Sequence, residues 1–103
     1  ANGAVVTPAG MPVLDEIAAV LRAHPEIRRM ALRGHASAGE RNAVALSRRR
    51  AEAARDHLTA HGIAASRLQA HGFGPDRPLV QGRSRRARAA NRRVEFHITV
   101  GNQ

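Results

Sequence analysis

The stretch between residues 28 and 72 constrains the fold most. A short segment, 28–33, carries Met30 and Leu32 on one side and ends at Gly34. After a loop comes an Ala-rich run of 20 residues, 42–61, stopped by Gly62. A second short segment, 68–72, is closed by the cluster Gly72-Phe73-Gly74-Pro75. Short runs bounded by glycine read as strands, and a long Ala-rich run free of breakers reads as a helix. A strand, a helix of that length and another strand predict a parallel pair joined by a right-handed crossover.

The rest of the chain fits around this unit. Val94, Phe96, Ile98 and Val100 alternate with Glu95, His97 and Thr99, which is the clearest strand pattern in the chain. Leu14, Ile17, Val20 and Leu21 line one side of a helix over 12–24, ended by His24-Pro25, and Thr7-Pro8 supplies a possible cap. Residues 75–91 form a polar, Arg-rich connection with one or two helical turns around 85–90, and 3–6 reads as a fragment of a first strand. The expectation is a two-layer α+β domain. Its two main helices cover one face of a small mixed sheet, and the other face is open to solvent. A chain of 103 residues fits one domain spanning 1–103, and an Ala at position 1 suggests a piece of a larger protein. With no Cys, disulfides and thiolate metal sites are excluded.

Charge narrows the partner. The formal net charge is +9 and all 17 basic residues are Arg. Six of those Arg fall in the last 21 residues, against Glu95 alone. The sign predicts an anionic partner, and nucleic acid is the first candidate. The chain has no Tyr or Trp, only Phe73 and Phe96, and no zinc-finger spacing, so no stacking platform or familiar reading head is present and no nucleic acid is expected. The run 83–88 reads as a solvated loop. Among the six His, only His57 and His61 have the i, i+4 spacing that lets two imidazoles share an ion. No third ligand is in view, so no metal is assigned. Nor do the eight acids suggest a nucleophile with a base and an orienting partner, and an enzyme is not expected.

One arginine is out of place. On the long helix Ala43, Leu46, Ser47, Ala54 and Leu58 form the packing side, while Arg41, Arg48, Arg55, Glu52 and Asp56 face water. Arg50 projects between Leu46 and Ala54, near the buried side. A guanidinium there needs a fixed anion or a row of acceptors. Periodicity leaves two readings open: pairing with an internal acid or the sheet edge, or a rigid fork offered to a ligand carboxylate.

The string itself carries a resemblance. Arg33-Gly34-His35, Asn42, Leu46-Ser47-Arg48-Arg49-Arg50-Ala51, Gly62-Ile63, Gly72-Phe73-Gly74 with Pro78, and Asn91-Arg92-Arg93-Val94-Glu95 occur in this order. The chain resembles the OmpA-like C-terminal domain, the peptidoglycan-binding module also found in Pal lipoproteins and flagellar stator proteins. The resemblance implies a βαβαβ fold and non-covalent binding of the peptide stem of peptidoglycan, usually through diaminopimelate. It implies that Arg50 grips a carboxylate, that Asn42 and either Arg92 or Arg93 line the site, and that His35 is a structural hydrogen-bonding residue beside it. No cofactor is implied. The implied location is the periplasm of a Gram-negative-type bacterium, with membrane association only through other parts of the polypeptide.

The chain departs from that pattern at the amine half of the site. Where the family usually has Thr-Asp, with the Asp accepting the diaminopimelate amine, this chain has Ala36 and Ser37, and the loop to Asn42 is short. Ser37 offers one neutral hydrogen bond, and Glu40 is the acid that can reach the same place from the shortened loop. Two functions follow: a wall anchor with relaxed preference for the stem residue, or an envelope scaffold or protein-interaction module that keeps the fold alone.

Overall fold

A computed structural model describes residues 3–6 and 11–100, with side chains from residue 13 onward. The elements are β1 (Gly3–Val6), α1 (Met11–Ala23), β2 (Arg29–Gly34), α2 (Ala43–Ala60), β3 (Leu68–Gly72), α3 (Arg85–Asn91) and β4 (Val94–Val100). The Thr7-Pro8 cap expected for α1 lies outside the described residues.

The sheet order is β1-β4-β2-β3. β2 and β3 are parallel, in register from Met30↔Leu68 to Gly34↔Gly72, so α2 is the crossover that the strand–helix–strand pattern predicts. β4 runs antiparallel to both β1 and β2. Its alternation turns Val94 and Phe96 toward the helices, where they meet Met30 and Leu32, Leu14, Ala18 and Leu21 of α1, and Ala51, Ala54 and Leu58 of α2. Both main helices therefore cover one sheet face, as expected.

Two details of the helical faces differ from the sequence reading. Val20, assigned to the packing side of α1, is 50% exposed, and Ala18 at 0% takes its place. At about 100° per residue Val20 falls roughly 120° from Leu14, too far round to reach the sheet. On α2 the buried line is Ser47, Ala51, Ala54 and Leu58, and Leu46 is only half-buried. Arg50 sits about 60° from Ser47, on the shoulder of that line.

Small residues set how closely α2 approaches the sheet. A Cβ on Gly34 would lie 1.8 Å from the Ser47 carbonyl oxygen, and one on Gly72 would lie 2.6 Å from the Arg48 nitrogen. Ser47 is fully buried; its Oγ donates to the Val44 carbonyl (2.7 Å) and accepts from the Gly74 N–H (2.9 Å). The helix is thereby bonded to the turn that follows β3.

The sheet face turned away from the helices is not open along its whole length. At the ends of β2 and β3 the His35 ring stacks on Phe73 at 5.6 Å, and the Arg77 guanidinium lies 4.1 Å from the Phe73 ring centroid. Arg93 is 4% exposed and donates to the Arg77 carbonyl (3.0 Å) and to Glu95 (2.7 Å). Phe73 and Arg77 supply a lid that strand alternation alone does not reveal.

Asn91 holds the connection between β3 and α3. Its Oδ1 accepts from the N–H groups of Leu79 (2.7 Å) and Val80 (3.0 Å), and its Nδ2 donates to the Val80 carbonyl (2.8 Å). The side chain is 2% exposed, so truncation removes three hydrogen bonds and leaves a gap beneath the exposed residues Leu79 and Val80. Asn91→Ala is expected to lower stability by about 2 kcal/mol, measured as a shift in the urea midpoint at unchanged slope. An unchanged midpoint would show that the connection is held by something else.

Candidate functional site

The candidate site is built by the segment 35–42 between β2 and α2. The His35 N–H extends the ladder to the Arg93 carbonyl (2.8 Å), and the Ala36 N–H donates to the Gly74 carbonyl (2.9 Å). These bonds bury His35, Ala36 and Ser37 at 2%, 2% and 0% exposure. The chain then turns sharply, with Gly39 at φ 86 and the Glu40 N–H donating to the Ser37 carbonyl (3.2 Å). Asn42 enters α2 in the left-handed conformation (φ 52, ψ 45), which Asn tolerates better than most residues. It is exposed and makes no side-chain capping bond.

The turn sends Glu40 back over its own loop. Its carboxylate accepts from the Ser37 N–H (2.7 Å) and from Ser37 Oγ (3.1 Å). Arg50 grips the same group with both terminal nitrogens: Nη1 donates to Oε1 (3.0 Å) and Nη2 to Oε2 (2.8 Å). Nη1 also donates to the His35 carbonyl (3.1 Å). Arg92 approaches from the far side, its Nε 3.3 Å from Ser37 Oγ and 3.5 Å from Glu40 Oε1. The side chains of Glu40, Arg50 and Arg92 are 10%, 22% and 42% exposed, so the pair is sheltered and one edge faces solvent. Burial alone would raise the Glu40 carboxyl. The hydrogen bonds from Arg50 and Ser37, with the Arg50 charge, outweigh it and bring the pKa down to about 2.

A cleft of about 210 Å³ opens beside this cluster, lined by residues 37–40 together with Arg83, Arg88 and Arg92. Arg83 and Arg88, which the sequence alone places in a solvated loop, are thus wall residues. The available signal is their helical context: Ser84 Oγ accepts from the Ala87 N–H (3.1 Å) and starts α3, which sets Arg88 four residues before Arg92 on one side. With Glu40 as the sole acid among these residues, the walls and Arg50 supply an excess of three positive charges over Glu40.

Of the residues singled out from sequence, the structure brings Ser37, Glu40, Arg50 and Arg92 together. Asn42 stands at the start of α2 on the exposed rim. Arg93 is not with them. It turns to the opposite side of the sheet, because adjacent residues at the start of a strand point to opposite faces. His35 is beside the site, but neither ring nitrogen has a hydrogen-bond partner among the described residues. Its ring packs by stacking, while its backbone makes the bonds. Burial, and then the Arg93 charge, lowers its pKa to about 4, so it is neutral near pH 7.

Residues 1–92 match the model of the OmpA family. The chain belongs to that family. Among curated relatives, this OmpA-family chain is 32% identical over 99 residues to the peptidoglycan-binding protein ArfA of Mycobacterium tuberculosis, covering 94% of the chain and 30% of ArfA. The chain spans less than half the length of the curated relatives it matches. Its fold superimposes on the peptidoglycan-associated lipoprotein of Burkholderia pseudomallei with a TM-score of 0.82 at 24% identity, covering 90% of this chain and 87% of that one. The cell wall anchor of the T6SS from Pseudomonas aeruginosa matches with a TM-score of 0.74 at 28% identity, over 92% of this chain and 68% of the other. The OmpA-like fold expected from the motifs is therefore the fold observed.

Proposed function

We propose that this OmpA-family domain binds cell-wall peptidoglycan non-covalently, through the peptide stem, and tethers a longer periplasmic or outer-membrane protein to the wall. The observation that carries this reading is Glu40. From a shortened loop it brings a carboxylate to the neighbourhood where the family pattern has an Asp, and it is held there by Arg50 and Ser37. A stem residue bearing both an amine and carboxylates, such as diaminopimelate, suits the cleft. Its ammonium would meet the exposed edge of Glu40, and its carboxylates would meet Arg83, Arg88 and Arg92. Membership of the family and the wall-binding names of its relatives support the same reading.

In this reading Arg50 acts mainly as the clamp that keeps Glu40 ionised and in position. Three N–H contacts already engage its terminal nitrogens. The Nε–H and the second Nη2 hydrogen remain for a ligand carboxylate. No bond in the ligand needs to be made or broken.

The test is co-sedimentation with purified sacculi at low salt. The wild-type domain is expected to pellet with the wall, and Arg92→Ala to weaken binding about tenfold or more, the loss of one charged hydrogen bond. A wild-type domain that stays in the supernatant would sink the reading and favour the scaffold alternative, in which the closed Arg50–Glu40 pair is simply structural.

A further inference from the structure

The sequence offers two histidines at i, i+4 on α2 and no third ligand; the structure supplies one. Asp15 of α1 reaches across the helix–helix contact to His57 and His61 at the C-terminal end of α2. We propose that Asp15, His57 and His61 form a binding site for a divalent transition-metal ion, of which Zn²⁺ is the best-suited probe.

The geometry fits. Asp15 Oδ1 lies 2.8 Å from His57 Nε2 and 3.6 Å from His61 Nε2, and one ligand atom from each residue falls within 4.8 Å of the others. Ligands about 2.0–2.1 Å from a tetrahedral ion stand roughly 3.4 Å apart. The observed separations bracket that value, so the three donor atoms are close enough to share one ion. The two imidazole rings are stacked, with centroids 4.3 Å apart and planes 18° apart, so one ring must turn out of the stack for both Nε2 lone pairs to converge on one ion.

The outer bonds point the same way. His61 Nδ1 lies 2.8 Å from the His57 carbonyl oxygen. A carbonyl only accepts, so Nδ1 carries a proton, and in the neutral ring Nε2 is the nitrogen left to ligate an ion. A backbone carbonyl fixing the tautomer of a ligating histidine is the usual supporting shell of a metal site. His57 Nε2 donates to Asp15 while the site is free; binding displaces that proton, as metal binding to imidazole generally does.

The environment sets the class of ion. Two imidazole nitrogens and one carboxylate suit Zn²⁺, Ni²⁺ or Cu²⁺, whereas Mg²⁺ and Ca²⁺ prefer all-oxygen sets. Asp15 and His61 are 60% and 46% exposed, which leaves room for water to complete the coordination. Arg22 is nearby, but its Nη1 donates to the His61 carbonyl (2.8 Å) rather than to a ligand atom. The site is separate from the cleft: His57 follows Asn42 by 15 residues of helix, roughly 20 Å. An ion there pins α1 to α2 at the end of α2 remote from Glu40.

Isothermal titration of the 103-residue chain with ZnCl₂ at pH 7.5, in a non-chelating buffer, tests this. One saturable site is expected, with a Tm rise of roughly 10 °C at a hundredfold excess over Kd. His57→Gln and His61→Gln are each expected to weaken binding at least about tenfold, and Asp15→Asn to do so less severely. Because His24, His35, His71 and His97 also carry imidazoles, side-chain ¹⁵N spectra assign the bound rings. Shifts at His57 and His61 support the site. No saturable binding, binding unchanged in the double His57→Gln/His61→Gln variant, or shifts at other histidines alone would each overturn it.

Discussion

Gly34→Ala is expected to be the most damaging single-methyl change in this domain, lowering stability by about 3 kcal/mol or more and Tm by about 12 °C or more. The added Cβ would sit 1.8 Å from the Ser47 carbonyl oxygen and 2.8 Å from its carbon. Both atoms belong to the backbone of α2, so no side chain can rotate out of the way. Relief requires the helix to lift from β2, and lifting it loosens Ala51 and Leu58, which are fully buried, and breaks the Ser47 bond to Gly74. Gly62→Ala is the informative control. Gly62 has φ 91, and a Cβ added there would meet nothing within 4 Å, so its replacement brings only left-handed backbone strain, about 1–2 kcal/mol. Thermal unfolding of the two variants side by side separates close packing from backbone strain. If Gly34→Ala melted within about 3 °C of wild type, a shift well below 1 kcal/mol, the close seating of α2 on the sheet would be wrong.

Much of this architecture is legible in sequence because it rests on local patterns. The alternation of residues 94–100 and the unbroken Ala-rich run on α2 each specify an element without reference to the rest of the chain. The errors lie where a decision is geometric. Periodicity misplaces Val20 and Leu46 because a face of about 100° admits residues on its margin, and only the partner sheet shows how wide the buried stripe is. Ala51 escapes notice because a small side chain carries little hydrophobic signal, although it occupies the centre of the contact.

The site divides in the same way. Arg50 stands out as a charge near an apolar face, which periodicity detects. Its partner depends on the turn at Gly39 and the left-handed Asn42, and these decide where Glu40 points. Arg92 and Arg93 cannot be distinguished by motif, since one residue of register sends one to the cleft and the other to Glu95. Arg83 and Arg88 become wall residues only once α3 folds back against the 37–40 turn. Asp15 and His57 are 42 residues apart, and no spacing rule joins them.

The Arg50–Glu40 pair makes the second large prediction. Arg50→Met keeps most of the apolar stem and removes the guanidinium, leaving a carboxylate that is 10% exposed with only Ser37 and the more distant Arg92 to stabilise it. A loss of about 2–3 kcal/mol at pH 7 is expected, below the fully buried range because the pair has a wet edge. The pH dependence identifies the cause. Glu40 titrates at about 2 in the folded chain, below the 4.5 of an unperturbed Glu. Its ionised form therefore contributes stability fully above pH 4.5, and that contribution is lost as the pH falls through 4.5 toward 2. After allowance for screening it is on the order of 2 kcal/mol. Asp15, Glu26 and Glu95 are also held low and add their own acid sensitivity, so the informative quantity is the difference between variants. Urea unfolding at pH 7, 5 and 3 should show wild type and Arg50→Met converging as the pH falls. The double variant Glu40→Gln/Arg50→Met should regain part of what Arg50→Met loses at pH 7, because it removes the stranded charge. Parallel pH profiles for wild type and Arg50→Met would mean that Arg50 does not hold Glu40 ionised. Sacculus binding by Arg50→Met, measured well below its Tm, then separates folding from recognition. Loss of binding in a folded variant is the expected result, since an unclamped Glu40 no longer offers a fixed carboxylate at the mouth of the cleft.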